Sequence, residues 1–119
     1  MLTSFTRNWG LELLDRLNVI TAKLGITQAT AVGDKVADMY TDHTYGHGYP
    51  QSVDMVAVYT VAAKKVAELI AAHGEDSPIA LAASAVMEIA AAAVTGENAS
   101  IRYLLAARRI IRQMETKTT

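Results

Sequence analysis

An all-α, single-domain bundle of about five helices with a central antiparallel helical hairpin is the fold class that this sequence predicts. Three observations carry the prediction. Apolar residues recur at three- and four-residue steps through the long segments. Helix caps separate those segments, above all Gly25, Gly74 and the Ser77-Pro78 pair. No strand-like alternation, internal repeat or low-complexity linker stands out. At 119 residues and 51% hydrophobic content, the chain fits one domain spanning 1–119.

The first segment runs from an N-cap at Thr3 or Ser4 to Leu24, with Phe5, Trp9, Leu13, Leu17, Ile20 and Leu24 expected on one inward face. Gly25 stands where a left-handed C-terminal cap belongs. The second is expected from Thr27 to about Asp42, with Asp34, Asp38 and Asp42 four apart on its outer side. Gly33 inside it costs about 1 kcal/mol against alanine, which makes it the weakest of the five.

The third segment runs from the cap Ser52 to His73 and is closed by Gly74. Its apolar residues, among them Val53, Tyr59, Val61, Val66, Leu69 and Ile70, cover more than half of its circumference. The fourth opens on "DSPIA", with Ser77 as N-cap and Pro78 at the first helical position, and ends at Gly96. It contains one charge, Glu88, and is otherwise dominated by alanine. The fifth runs from near Asn98 to about Met114, with Ile101, Leu104, Ala107, Ile111 and Met114 inward and arginines outward.

The short connection "HGEDSP" makes the third and fourth segments an antiparallel hairpin. A helix apolar on nearly all sides has to be covered on nearly all sides, and complete cover is hard to supply from four neighbours in so short a chain. A homodimer or higher homo-oligomer that supplies the missing cover is therefore expected.

Composition narrows the function classes. The absence of cysteine removes disulfides, thiolate nucleophiles and cysteine-based metal sites, and suits a reducing cytoplasm. The first seventeen residues lack a secretion signal's basic and apolar regions. Residues 79–94, "IALAASAVMEIAAAAV", are too short, too alanine-rich and interrupted by Glu88 for a membrane span, which needs about 20 strongly apolar residues. The net charge of −1 conceals an asymmetry: residues 1–97 hold six Lys/Arg against eleven Asp/Glu, whereas 98–119 hold five against Glu115 alone. Basic charge is thus concentrated in Arg102, Arg108, Arg109 and Arg112 of the last helix.

The most unusual stretch is "TDHTYGHGYP" at 41–50. His43 and His47 are four apart, but Gly46, Gly48 and Pro50 interrupt the helix that would set both imidazoles on one face. No third ligand pattern, nucleophile elbow or phosphate-binding glycine loop accompanies them. No metal, cofactor or catalytic residue is expected, and the chain does not read as an enzyme. The loop reads as an inter-helix connection whose Tyr45, His47 and Tyr49 are candidate recognition residues. Glu88, one turn after Ser84, reads as a buried carboxyl whose pKa desolvation raises.

Two segments resemble known families. "TAKLGITQATAVGDKV" at 21–36 resembles the helix-turn-helix pattern, which implies DNA binding; it departs at Thr21 and at Asp34, and the would-be recognition helix carries three aspartates, contrary to what phosphate contact needs. "TYGHGYP…AAKKVAELIAAHGEDS" resembles the helical hairpin of phage-encoded sponges that sequester cyclic oligonucleotide signals. That resemblance implies stacking by Tyr45 or Tyr49 and a phosphate contact from Lys64, and it departs where a Trp-Ala-Asn segment is replaced by "IAAAAV".

The favoured function is that of a small, non-enzymatic cytoplasmic protein of a bacterium or its phage. Acting as an adaptor, inhibitor or regulatory factor, it would bind a protein partner, with the four arginines and the 44–50 loop as candidate surfaces. A nucleotide-binding sponge and an arginine-mediated DNA-associated factor are the alternatives.

Overall fold

The computed structural model describes residues 4–26, 55–95 and 97–118, and these are all-α. The described residues form four helices, not about five: α1 (Ser4–Leu24), α2 (Met55–His73), α3 (Pro78–Val94) and α4 (Glu97–Thr118). The helix expected over 27–42 lies outside the described residues. None of the described helices is long and apolar enough to cross a membrane.

Local chemistry fixes the helix ends. Gly25 has φ +69, and the chain closes α1 by donating from the Gly25 and Ile26 amides to the carbonyls of Ala22 and Thr21. This is the paired arrangement that a left-handed glycine permits. Gly74, at φ +87, ends α2 with a single bond from its amide to the Ile70 carbonyl. The chain then turns back within four residues, and Ser77 opens α3 by accepting from the Ala80 amide at 3.2 Å.

The other end of α3 departs from expectation. The helix stops at Val94, not Gly96, because Thr95 leaves helical geometry and donates its hydroxyl to the Ala91 carbonyl at 2.9 Å. Ser100, fully buried, reaches back across the turn to donate to the Ala92 carbonyl at 2.6 Å. Two hydroxyls thus satisfy carbonyls that a helix end would otherwise leave without partners. On its other side α4 runs on to Thr118, past the last apolar position at Met114.

α3 is the hub. It packs most extensively on α4, then on α2, and also on α1. Ten of its 17 residues are buried, including Ala82, Ala85, Ala90 and Ala92 at 0% exposure. Side chains this small let neighbouring helices approach closely. The premise that this helix lacks cover is therefore corrected: α1, α2 and α4 of the same chain surround it, and its burial does not require a second copy.

Val66, Leu69 and Ile70 of α2 cluster with Ile79, Ala83 and Met87 of α3, as the antiparallel hairpin requires. Leu13, Leu17 and Ile20 of α1 join Leu104, Ala107, Ile111 and Met114 of α4 in the main core. α1 and α4 run parallel, because two contacts between them, Trp9 with Arg108 and Arg16 with Glu115, each join residues 99 positions apart.

Three expected core residues point outward: Phe5 is 69% exposed, Val61 61% and Leu24 41%. For Phe5 the reason is geometric. An every-fourth row drifts about 40° per step around a helix of 3.6 residues per turn, so Phe5 lies about 120° from Leu17. The inward line at that end is instead Thr6, Gly10, Leu13 and Leu14.

Candidate functional site

α4 is strongly two-faced, and its polar side carries the best-developed site among the described residues. Leu104, Ala107, Ile111 and Met114 face the core at 0–2% exposure. The same periodicity sends Arg102, Arg109 and Arg112 into solvent, together with Leu105, which is 37% exposed. Arg108 is half-buried because it turns toward α1. Its guanidinium lies over the Trp9 ring, 5.7 Å from the centroid, within cation–π range. Phe5 packs on Trp9 at 5.8 Å with a tilt of 59°, a favourable aromatic arrangement.

Two adjoining depressions share Arg108. A groove of about 410 Å³ is lined by Phe5, Asn8, Trp9, Glu12 and Arg108. A cup of about 320 Å³ is lined by Leu105, Arg108, Arg109 and Arg112. The surface therefore runs from the exposed Phe5 and half-buried Trp9 at one end to three arginines at the other.

The neighbouring charge is arranged differently. Arg16 donates from Nη2 to Oε1 of Glu115 at 2.7 Å and from Nε to Oε2 at 3.2 Å. This fork is the directional form of an arginine–carboxylate pair. The hydrogen bonds from Arg16 hold the Glu115 carboxyl below the usual glutamate range, and Arg16 in turn is raised by the same bonds. Glu115 is the carboxylate nearest the cup along α4, and it faces Arg16 of α1. Among the described residues, none of the four α4 arginines has a carboxylate within ion-pair distance.

The sequence-predicted site residues fare unequally. Arg102, Arg108, Arg109 and Arg112 lie on one helix, and the structure brings Arg108, Arg109 and Arg112 to a single cup. Lys64 is exposed on α2. Tyr45, His47 and Tyr49 lie outside the described residues, as do His43 and the second half of the helix-turn-helix-like segment. No group of three or more potential metal ligands occurs among the described residues. Phe5, Trp9 and Glu12 line the groove; Trp9 also packs against the core, as its spacing suggests, whereas Phe5 does not, and the drift of the every-fourth row was the available signal.

Glu88 sits half-buried on α3, and desolvation raises its pKa above the usual range. A third depression, of about 200 Å³, lies where Leu24, Pro78, Leu81 and Met114 meet, with Asp76 and Lys117 at its edge. One charge of each sign makes it a weaker candidate than the arginine cup.

No family model matches the chain, and no curated protein or solved structure is significantly similar to it.

Proposed function

We propose that this is a non-enzymatic binding protein, an adaptor, inhibitor or regulatory factor, which engages an acidic protein segment through the α1/α4 face. The observation that carries this reading is the cup of Arg108, Arg109 and Arg112 beside the Phe5–Trp9 pair, of which Phe5 is exposed. Guanidinium and indole are the groups most enriched among residues that dominate protein–protein affinity. Among the described residues these arginines form no ion pair with a carboxylate, which supports an acidic complement on a partner. A nucleic-acid strand fits this surface less well, since Glu12 lines the groove and the chain as a whole carries −1.

The test compares the wild-type protein with Arg109→Glu/Arg112→Glu. Exposed charges contribute little to folding, so the melting temperature should move by no more than about 0.5 kcal/mol would cause. Protein retained from a nuclease-treated lysate of the source cell by immobilised wild type should be lost with the variant. Equal retention by both proteins, or retention of nucleic acid in place of protein, would exclude the reading.

A further inference from the structure

We propose that the acidic determinant recognised by this face is a phosphorylated side chain, whose phosphoryl group enters the Arg108/Arg109/Arg112 cup while an adjoining apolar or aromatic group lies in the Phe5–Trp9 groove. The proposal rests on the reading above and names the chemistry of its partner.

Three features converge on a dianion. First, the cup gathers three guanidiniums within five successive positions of one helix. Like charges three and four residues apart repel one another, so the cluster works against the helix that holds it. An internal carboxylate placed among them would relieve this repulsion. Glu115, three residues from Arg112, gives both of its oxygens to hydrogen bonds from Arg16 and meets Arg112 only through a weaker, longer-range attraction. Among the described residues, no carboxylate forms an ion pair with the three arginines of the cup.

Second, charge density matches. A carboxylate offers one negative charge and two oxygens, whereas a phosphoryl monoester offers nearly two charges and three acceptor oxygens. Guanidinium presents several donors in a rigid fork suited to those oxygens, which is why arginine clusters recognise phosphorylated segments. Arg108 is already oriented by the Trp9 ring, so less of its freedom is lost when an anion binds.

Third, the surroundings select against a continuous polyanion. Leu105 forms an apolar wall of the cup, and the groove beyond Arg108 is lined by Phe5 and Trp9 and also by Glu12. A strand of phosphates passing from cup to groove would meet that carboxylate. A peptide that carries one phosphoryl group and then an apolar side chain would not.

Trp9 is the sole tryptophan, so its fluorescence reports on this face directly. The experiment titrates the full chain with phenyl phosphate, inorganic phosphate and adenosine monophosphate at constant ionic strength, following Trp9 emission and the arginine Nε–H resonances. Phenyl phosphate should bind several-fold more tightly than inorganic phosphate, because it sets an apolar ring beside the phosphoryl group, where the groove adjoins the cup. Arg109→Gln/Arg112→Gln should weaken it by at least about tenfold, the loss of charge-assisted hydrogen bonds, with the melting curve unchanged. Tighter binding of adenosine monophosphate, equal binding of phenyl and inorganic phosphate, or binding indifferent to the double variant would each overturn the proposal. A parallel retention assay uses phosphatase-treated lysate. If the α1/α4 face holds the same protein before and after treatment, the phosphoryl proposal fails while the protein-binding reading stands.

Discussion

α3 and α4 share the most extensive interface in the bundle, yet they divide the molecule's tasks between them. α3 buries ten of its 17 residues behind three neighbours and leaves partly open a stripe through Leu81, Ser84, Met87, Glu88 and Val94. α4 hides one side and keeps the other for solvent. A helix that is apolar all round has nothing with which to address a partner; a two-faced helix holds the fold with one side and recognises with the other. Stability and recognition are therefore separable here, even between residues two positions apart.

The sharpest way to break that comparison is to truncate each side of α4 in turn. Leu104→Ala removes a side chain at 0% exposure from the main core and should cost about 2–5 kcal/mol, measured by urea unfolding. Arg102→Ala, on the opposite side, should change stability by less than about 0.5 kcal/mol. Comparable losses from both would show that the arginine side is structural after all.

A smaller effect comes from two carboxyls with opposite shifts. The Arg16 fork depresses the pKa of Glu115, so its contribution to stability is complete above the usual glutamate range and is lost as pH falls through the depressed value. Burial raises the pKa of Glu88, so the folded state favours its proton, and stability falls as pH climbs from the usual range through the raised value. Both partners of the fork are about one-third exposed, at 30% and 37%, which limits the pair to about 1 kcal/mol. Melting curves should therefore show Arg16→Ala destabilised at neutral pH and converging on wild type in strong acid. Glu88→Gln should be the more stable protein at neutral pH, its advantage fading on acidification. An advantage that grows in acid would contradict the assigned burial of Glu88.

What could be read in the chain was local. Gly25, Gly74 and the Ser77-Pro78 start are decided by backbone conformation within a few residues, and all three stand where the sequence places them. The inward side of α4 was equally plain, because four large or small apolar residues repeat along it without interruption. The outward turn of Phe5 was not, since a row of every fourth residue satisfies the helical pattern while winding away from the core, whereas Trp9, one step nearer, still packs against it. The end of α3 was misplaced because Gly96 is a familiar stop, whereas a threonine hydroxyl that closes the helix two residues sooner leaves no comparable mark. The pairing of Arg108 with Trp9 and of Arg16 with Glu115 was beyond sequence reasoning altogether. Both depend on the register between two helices 99 positions apart, and that register is set by how α3 holds them together.

That parallel register also orders events in time. α2, α3 and α4 follow one another in the chain and join through short turns, so their contacts close small loops, whereas α1 meets α4 only after nearly the whole chain has been made. Closing the larger loop costs more entropy before any contact rewards it. During synthesis the side of α1 that carries Leu13 and Leu17 lacks its α4 cover until the last helix has emerged, and α1 should dock as the closing step. Leu17→Ala should accordingly speed unfolding in stopped-flow measurements and leave the folding rate almost unchanged, and a slowed folding rate would place α1 in the nucleus instead. The recognition face, which needs Trp9 from the first helix and Arg108 from the last, exists only once that final step is complete, so a nascent or truncated chain would have no competence to bind.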